Sequence, residues 1–344
     1  MRLTLHIGTE KTGTTSVQNW FSTNRQALIE QGIYYSSYLG EVNHLKIFTA
    51  ACEPRDDNSG WRIQGLRTKA EKRAFLDKFP EELKAEIEQA RALGCDQFMI
   101  SNEHCHSKLQ KKRQMRRLND ILSPLFDEID VVMCLRPQVD VIVSRASTAA
   151  RRKWNVTSDF FVNAQHTKDF YNYFRAYTAW SKCFADHNFH VVPFQRNSNM
   201  VGYFQTFLDI DAAPLKSPAR QNGALDVRTV AMLNFLRPEY EIGASGLNIF
   251  GPRWVNQLPV KETMQIGAEL ATQLQATFEE SNRALCEVCP SVEMTDFAFK
   301  AGKYDPPNNL DLLSDPTCFE EQKAALVGLL KAAGKTPPAL LTNG

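Results

Sequence analysis

The segment Gly8-Thr9-Glu10-Lys11-Thr12-Gly13-Thr14-Thr15 gathers two glycines, several hydroxyl side chains and one lysine within eight residues. A small-residue turn that opens into a helix can aim successive backbone N–H groups, and the helix N-terminus, at one anion. Thr12, Gly13, Thr14 and Thr15, with Glu10 and Lys11 beside them, are therefore candidates to hold a phosphorylated ligand. Lys11 also supplies a cation where negative charge would grow during a transfer reaction. The plain alternative is a turn joining strand to helix, and a lysine among threonines in so short a stretch favours the anion site. A Walker A loop would place Lys and then Ser or Thr directly after the second glycine. Here Thr14 follows Gly13, and the lysine lies two residues before it. Kinases and nucleotidases also need a carboxylate at a later strand end to hold Mg²⁺. The apolar run Val131 to Leu135 ends instead in Arg136. The pattern argues for a group transfer that needs no metal.

Arg136 and Ser144 stand eight residues apart, the arginine at a strand end and the serine two turns into the next helix. A planar guanidinium fork and a hydroxyl suit a phosphate monoester, and the competing reading is an arginine paired with a neighbouring carboxylate. Transfer to a hydroxyl also needs a general base. The strand Gln97 to Ser101 runs into Asn102-Glu103-His104-Cys105-His106, which puts Glu103 and His104 at a strand end. Each of these also has a structural reading as a hydrogen-bonded side chain with no chemical role.

These residues depend on the elements around them. Arg2–Gly8 reads as a buried strand and Thr14–Gln31 as a helix stopped by Gly32, with a second strand at Ile33–Tyr35. Helical sequence fills Thr68–Leu93, with a break expected at Phe79-Pro80, and strand Gln97–Ser101 follows. Then come a basic helix Lys108–Leu122, strand Ile129–Leu135, helix Val139–Lys153, helix Lys168–Asp186 and strand His190–Phe194. Strands alternating with helices predict a mostly parallel sheet covered on both faces, with ligands at the carboxyl ends of its strands. From about Leu225 the pattern is helical (Val227–Leu236, Glu262–Cys286, Phe319–Ala333), with breaks at Gly243–Pro252 and Tyr304–Leu310. The expectation is one domain over residues 1–344, an α/β core over 1–224 and a helical cap over 225–344.

On these motifs the chain resembles the PAPS-dependent sulfotransferases, where PAPS is 3′-phosphoadenosine-5′-phosphosulfate. Lys11 to Thr15 is similar to the family's 5′-phosphosulfate loop, and His6–Phe21 (HIGTEKTGTTSVQNWF) looks like its bacterial branch. Arg136 and Ser144 match the spacing of the pair that holds the donor's 3′-phosphate. Weaker likeness runs through FYNYFRAYTAWSKCF, VVPFQR and ARQNGALD, so that it covers roughly Leu3–Leu236. KAGKYDPP, around Tyr304, is similar to a segment that closes over the donor. The resemblance implies a P-loop-type three-layer fold and sulfuryl transfer to a hydroxyl or amine, with adenosine 3′,5′-bisphosphate as product. It implies Lys11 at the bridging oxygen and, as base, His104 from the small-molecule enzymes or Glu103 from the bacterial ones. Glu41 or His44 would correspond to the glycan-modifying enzymes. The acceptor class stays open between carbohydrates and small molecules, acidic ones included. An atypical P-loop kinase and a non-catalytic bisphosphate-binding module are the rival readings.

Composition agrees with a globular chain: 43% apolar and 23% charged over 344 residues. A net charge of +1 gives no general attraction to nucleic acid, so anion sites must be local. No apolar run approaches the ~18 residues of a membrane span, and no secretory signal is read at the start. The eight scattered cysteines fit a reducing compartment, and the cytoplasm is the expected location. Cys286 and Cys289 form a lone CxxC, and Cys105 sits between two histidines, so no metal site is expected. The cations Lys108, Lys111, Lys112, Arg113, Arg116 and Arg117, with Arg151, Arg152, Lys153 and Trp154, are a candidate surface for an acidic acceptor or a sugar ring.

Overall fold

The computed structural model describes residues 1–166, 168–197, 199–217, 223–243 and 248–342. Along the chain β1 (Arg2–Gly8) leads to α1 (Thr14–Thr23), then to β2 (Ile33–Tyr35) and the long α2 (Lys69–Ala92). Strand β3 (Gln97–Ser101) is followed by α3 (His104–Lys108) and α4 (Lys112–Leu122), and β4 (Glu128–Leu135) by α5 (Gln138–Arg151). Next come α6 (Tyr173–Cys183), β5 (Asn188–Pro193), α7 (Met200–Phe207), α8 (Val227–Gly243), α9 (Gly267–Ala276), α10 (Glu279–Val288) and α11 (Glu320–Ala332). The fold is α/β, and its five strands form one sheet in the order β2-β3-β1-β4-β5. All pairings are parallel. The central strand β1 runs in register with β3 from Arg2↔Gln97 to His6↔Ser101.

Strand alternation divides the sheet's side chains between two cores. Leu3, Leu5 and Ile7 of β1 and Val131, Met133 and Leu135 of β4 pack with Phe79 and Leu83 of α2, Leu118 of α4 and Trp180 of α6. Val132 and Cys134 face the other way, to Val17, Trp20 and Phe21 of α1 and Met200 and Phe204 of α7. Both faces are thus covered, and the carboxyl ends of β1, β3 and β4 carry Gly8, Ser101 and Leu135, each next to a residue singled out from the sequence.

Contacts group the chain into two units. The first comprises Met1–Arg136, Asp169–Gln221 and Glu280–Phe297, and the second Pro137–Lys168, Asn222–Glu279 and Ala298–Gly344. This differs from a division at residues 224 and 225, because α5 is bound into the helical unit. Gln275 bonds Gln138, Tyr304 bonds Asp140, the Leu225 amide bonds Ser147, and Arg237 bonds the Ala150 carbonyl.

Several boundaries differ from the sequence reading for identifiable reasons. The helix expected over Thr14–Gln31 pauses at Asn24, whose side chain bonds the Trp20 carbonyl and both backbone groups of Lys216. A short helix, Arg25–Ile29, then resumes. In contrast, α2 passes Pro80 without a break. A complete Thr68/Glu71 capping box starts it, and Leu76, Phe79, Leu83, Ile87 and Ala90 bury one face, which outweighs the hydrogen bond that proline removes. The basic helix starts at Lys112, with Lys108 closing α3. Lys168–Asp186 is two helices, divided at Asn172, which caps the Arg175 amide. Glu262–Cys286 is likewise α9 and α10, and the residues before α9 are held extended by Asp226, which accepts from the Lys261 and Glu262 amides. Of the expected break at Gly243–Pro252, residues 244–247 lie outside the described residues, as do residues 219–222 of ARQNGALD.

At the amino ends of the strands Asp130 is fully buried, yet its carboxylate receives His190 Nε2 at 2.7 Å, Asn188 Nδ2 at 3.2 Å and Arg2 Nε. Burial pushes this carboxyl up, but the bonds from His190 and Arg2 outweigh it and hold the pKa at about 2. A depressed carboxyl stabilises the fold above its unfolded value near 3.9, and that contribution fades as pH falls toward 2. Asp130→Asn is therefore expected to cost about 1–2 kcal/mol at pH 7, after allowance for solvent screening. Urea titrations at pH 7 and pH 2.5 should show the difference shrink at low pH, and a pH-independent gap would refute the ionic account.

Candidate functional site

The loop after β1 is shaped by three local devices. The Thr9 amide bonds the Cys134 carbonyl of β4 at 3.1 Å, and Thr12 Oγ1 donates to the Thr9 carbonyl at 2.7 Å, which cinches the turn. Lys11 and Gly13 both take left-handed backbone conformations, with φ of 68° and 81°. For a side-chain-bearing residue such as Lys11 this costs roughly 1–2 kcal/mol. A left-handed residue next to helical geometry makes a concave nest of amides. Among the described residues, no protein acceptor meets the backbone N–H groups of Thr12, Gly13, Thr14 or Thr15. Those of Thr14 and Thr15 lie in the first turn of α1, where no intrahelical acceptor exists.

Arg136 reaches this loop from the end of β4. Its Nη1 donates to the Lys11 carbonyl at 2.8 Å, its guanidinium carbon lies 5.2 Å from the Phe194 ring centre, and the Tyr173 hydroxyl donates to its carbonyl at 2.8 Å. The loop carrying Lys11 and the end of β4 carrying Arg136 are thus joined at adjacent strand ends through the Lys11 carbonyl. Ser144 is partly buried on α5 and belongs to the helical unit, whereas Arg136 belongs to the sheet unit. Tyr304 of KAGKYDPP is buried in the helical unit, with its hydroxyl on Asp140 at 2.7 Å and Lys303 Nζ on the same carboxylate at 2.6 Å.

The four base candidates occupy distinct settings. Glu103 backs onto Gly8, where a β-carbon would come within 3.1 Å of the Glu103 Cα. Its carboxylate accepts Gln18 Nε2 at 2.8 Å and Asn43 Nδ2 at 3.0 Å. His104 opens α3, nearly buried, with Nδ1 3.4 Å from Ser107 Oγ and 3.9 Å from Glu10 Oε1, and with Phe48 edge-on to its ring. Glu10 therefore turns its carboxylate to His104. Carboxylate oxygens cannot donate to a phosphate, so any part of Glu10 in the anion cradle is played by its backbone. His44 is fully buried, its Nε2 donating to the Ser36 carbonyl at 2.9 Å and its Nδ1 accepting from the Ser101 amide at 3.2 Å. Burial pushes its pKa down to about 3, and both ring nitrogens are engaged, which suits a structural residue and not a base. Glu41 is exposed and pairs with Arg25 at 3.3 Å.

Two residues outside the initial set join the site. The buried His106 presents its ring edge to Phe170, and its Nδ1 has no hydrogen-bond partner among the described residues. Burial pushes its pKa down to about 4, against the opposing charge of Glu10. Tyr173 supports Arg136 from α6. The only sequence signal for His106 is its place in the His-Cys-His run, and that for Tyr173 is its place in FYNYFRAYTAWSKCF. Among the described residues no cluster of His, Cys, Asp and Glu is arranged to hold a metal ion. Within the basic run, Lys111 pairs with Asp56 at 3.4 Å and Arg113 with Glu53 at 2.9 Å, while Trp154 is 63% exposed.

The fold and site together define an α/β protein with an amide-lined strand–loop–helix cradle that carries Lys11 and is bonded by Arg136. No family model, curated protein or solved structure matches the chain. Among the described residues no helix is long and apolar enough to cross a membrane.

Proposed function

We propose that this chain is a PAPS-dependent sulfotransferase of P-loop-type fold, acting in the cytoplasm on a hydroxyl or amine acceptor. The observation that carries the reading is the set of amides at Thr12 to Thr15 that meet no acceptor among the described residues, in the loop that carries Lys11 and whose Lys11 carbonyl is bonded by Arg136. Amides and a helix N-terminus suit the donor's 5′-phosphate, and the fork of Arg136 suits its 3′-phosphate. In the transfer, the acceptor oxygen bonds to sulfur as the sulfur–oxygen bond to the 5′-phosphate breaks. The acceptor proton goes to the base, His104, and adenosine 3′,5′-bisphosphate leaves with the bond's electron pair. Lys11 stabilises the charge gathering on the bridging oxygen, a task that Mg²⁺ performs in kinases.

Transfer of labelled sulfate from PAPS to a panel of glycans, phenols and lipids, run with EDTA present, tests the reading. Product without added metal supports it. Mg²⁺-dependent ATP turnover would favour a kinase, and tight bisphosphate binding with no product a binding module. Donor choice gives a second test. Adenosine 3′,5′-bisphosphate should bind much more tightly than AMP, and Arg136→Ala should remove most of that preference, about 10–150-fold in affinity. Equal calorimetric affinity for the two nucleotides would remove Arg136 from 3′-phosphate recognition.

A further inference from the structure

In the helical unit, Arg151 ends α5 beside a cavity of about 150 Å³ walled by Leu225, Val255, Leu258 and Val260. Its Nε donates to Asn256 Oδ1 at 2.8 Å and its Nη2 to the Gly223 carbonyl at 2.9 Å, while Nη1 meets no protein acceptor among the described residues. Both partners are neutral. Burial pushes the guanidinium below its ordinary pKa, and among the described residues no carboxylate opposes the shift. The nearby acids are already engaged, Asp226 by the Lys261 and Glu262 amides and Glu262 by Arg228 at 3.1 Å. A half-buried cation without a counter-charge, facing apolar walls, is an unbalanced arrangement that an anion would complete.

We propose that this cavity binds a small carboxylate with a short apolar body, the carboxylate on Arg151 and the body against Leu225, Val255, Leu258 and Val260. The guanidinium fork matches a carboxylate in shape and charge. A volume of about 150 Å³ bounds the body to a single ring or a short chain. Sulfate has no apolar body to place against Leu225, Val255, Leu258 and Val260, so it should bind more weakly than an apolar carboxylate.

Benzoate is the probe, titrated into the full chain carrying labelled Leu and Val methyl groups, with benzyl alcohol and sulfate in parallel. Saturable shifts are expected at the methyls of Leu225, Val255, Leu258 and Val260, with benzyl alcohol at least ten-fold weaker. Arg151→Gln should weaken benzoate at least ten-fold. If that variant fails to fold, Val260→Phe decides: Val260 lines the cavity and is 53% exposed, so a larger ring is tolerated there and narrows the cavity while Arg151 stays intact. Loss of the shifts in Val260→Phe supports the site. Benzyl alcohol or sulfate binding as tightly as benzoate, shifts confined to Val17 of α1, or undiminished binding in either folded variant would overturn it.

Discussion

Lys11→Gly should lower sulfuryl transfer by about 10²–10³-fold, the scale on which removal of one preorganised charge-stabilising donor acts, while the protein stays folded. Glycine is the informative substitution because of the backbone. Lys11 sits at φ 68°, where a β-carbon is strained and glycine is not. The variant therefore keeps the loop's conformation and its carbonyl, which still accepts from Arg136 Nη1, while the side chain and its ammonium are removed. Its thermal midpoint should equal or exceed that of the native chain. Lys11→Ala should match it in activity but not in stability, since alanine retains the strain. The comparison needs single-turnover rates at saturating donor together with melting curves. Near-native turnover in a folded Lys11→Gly protein would remove the lysine from the chemistry and with it the case for transfer.

The parts of this site that could be read from sequence are those written within a few consecutive residues. Strand β1, the Gly8–Thr15 loop and the start of α1 are such a unit, because a buried strand, a glycine turn and a helix start are each decided locally. The arginine at the end of β4 was visible for the same reason. Its bond to the Lys11 carbonyl was not, since the two residues lie 125 apart in sequence and meet only through the parallel pairing of β1 with β4. His44 shows the limit most clearly. Nothing around it in sequence indicates that its two nitrogens close onto Ser36 and the Ser101 amide, the latter 57 positions away. Asn24 and Pro80 mislead in opposite directions. A tertiary bond to Lys216 interrupts a helix that periodicity continues, and a buried apolar face sustains one that proline should divide.

Among the base candidates, His104→Ala should produce the largest fall in kcat, about 10²–10⁴-fold, with little change in bisphosphate affinity. The geometry separates the four. Glu103 already accepts amide N–H groups from Gln18 and Asn43, so Glu103→Gln would set amide against amide and should loosen the junction of β3 with α1 more than it slows transfer. His44→Ala removes two buried hydrogen bonds and a ring packed 4.2 Å from that of Tyr35, so its effect should fall on stability, at about 2–4 kcal/mol. Glu41→Ala, at an exposed carboxylate, should change neither. His104 alone combines a carboxylate neighbour, Glu10, with a place three residues beyond the end of β3, at the start of α3. A base acts on the acceptor's proton and not on the donor's phosphates, so kcat should drop while calorimetric binding of adenosine 3′,5′-bisphosphate holds within about three-fold. Added imidazole should restore part of the rate, a rescue that a purely structural histidine would not show. If Glu103→Gln abolishes transfer in a folded protein while His104→Ala does not, the base is the carboxylate, and Gln18 and Asn43 are what orient it.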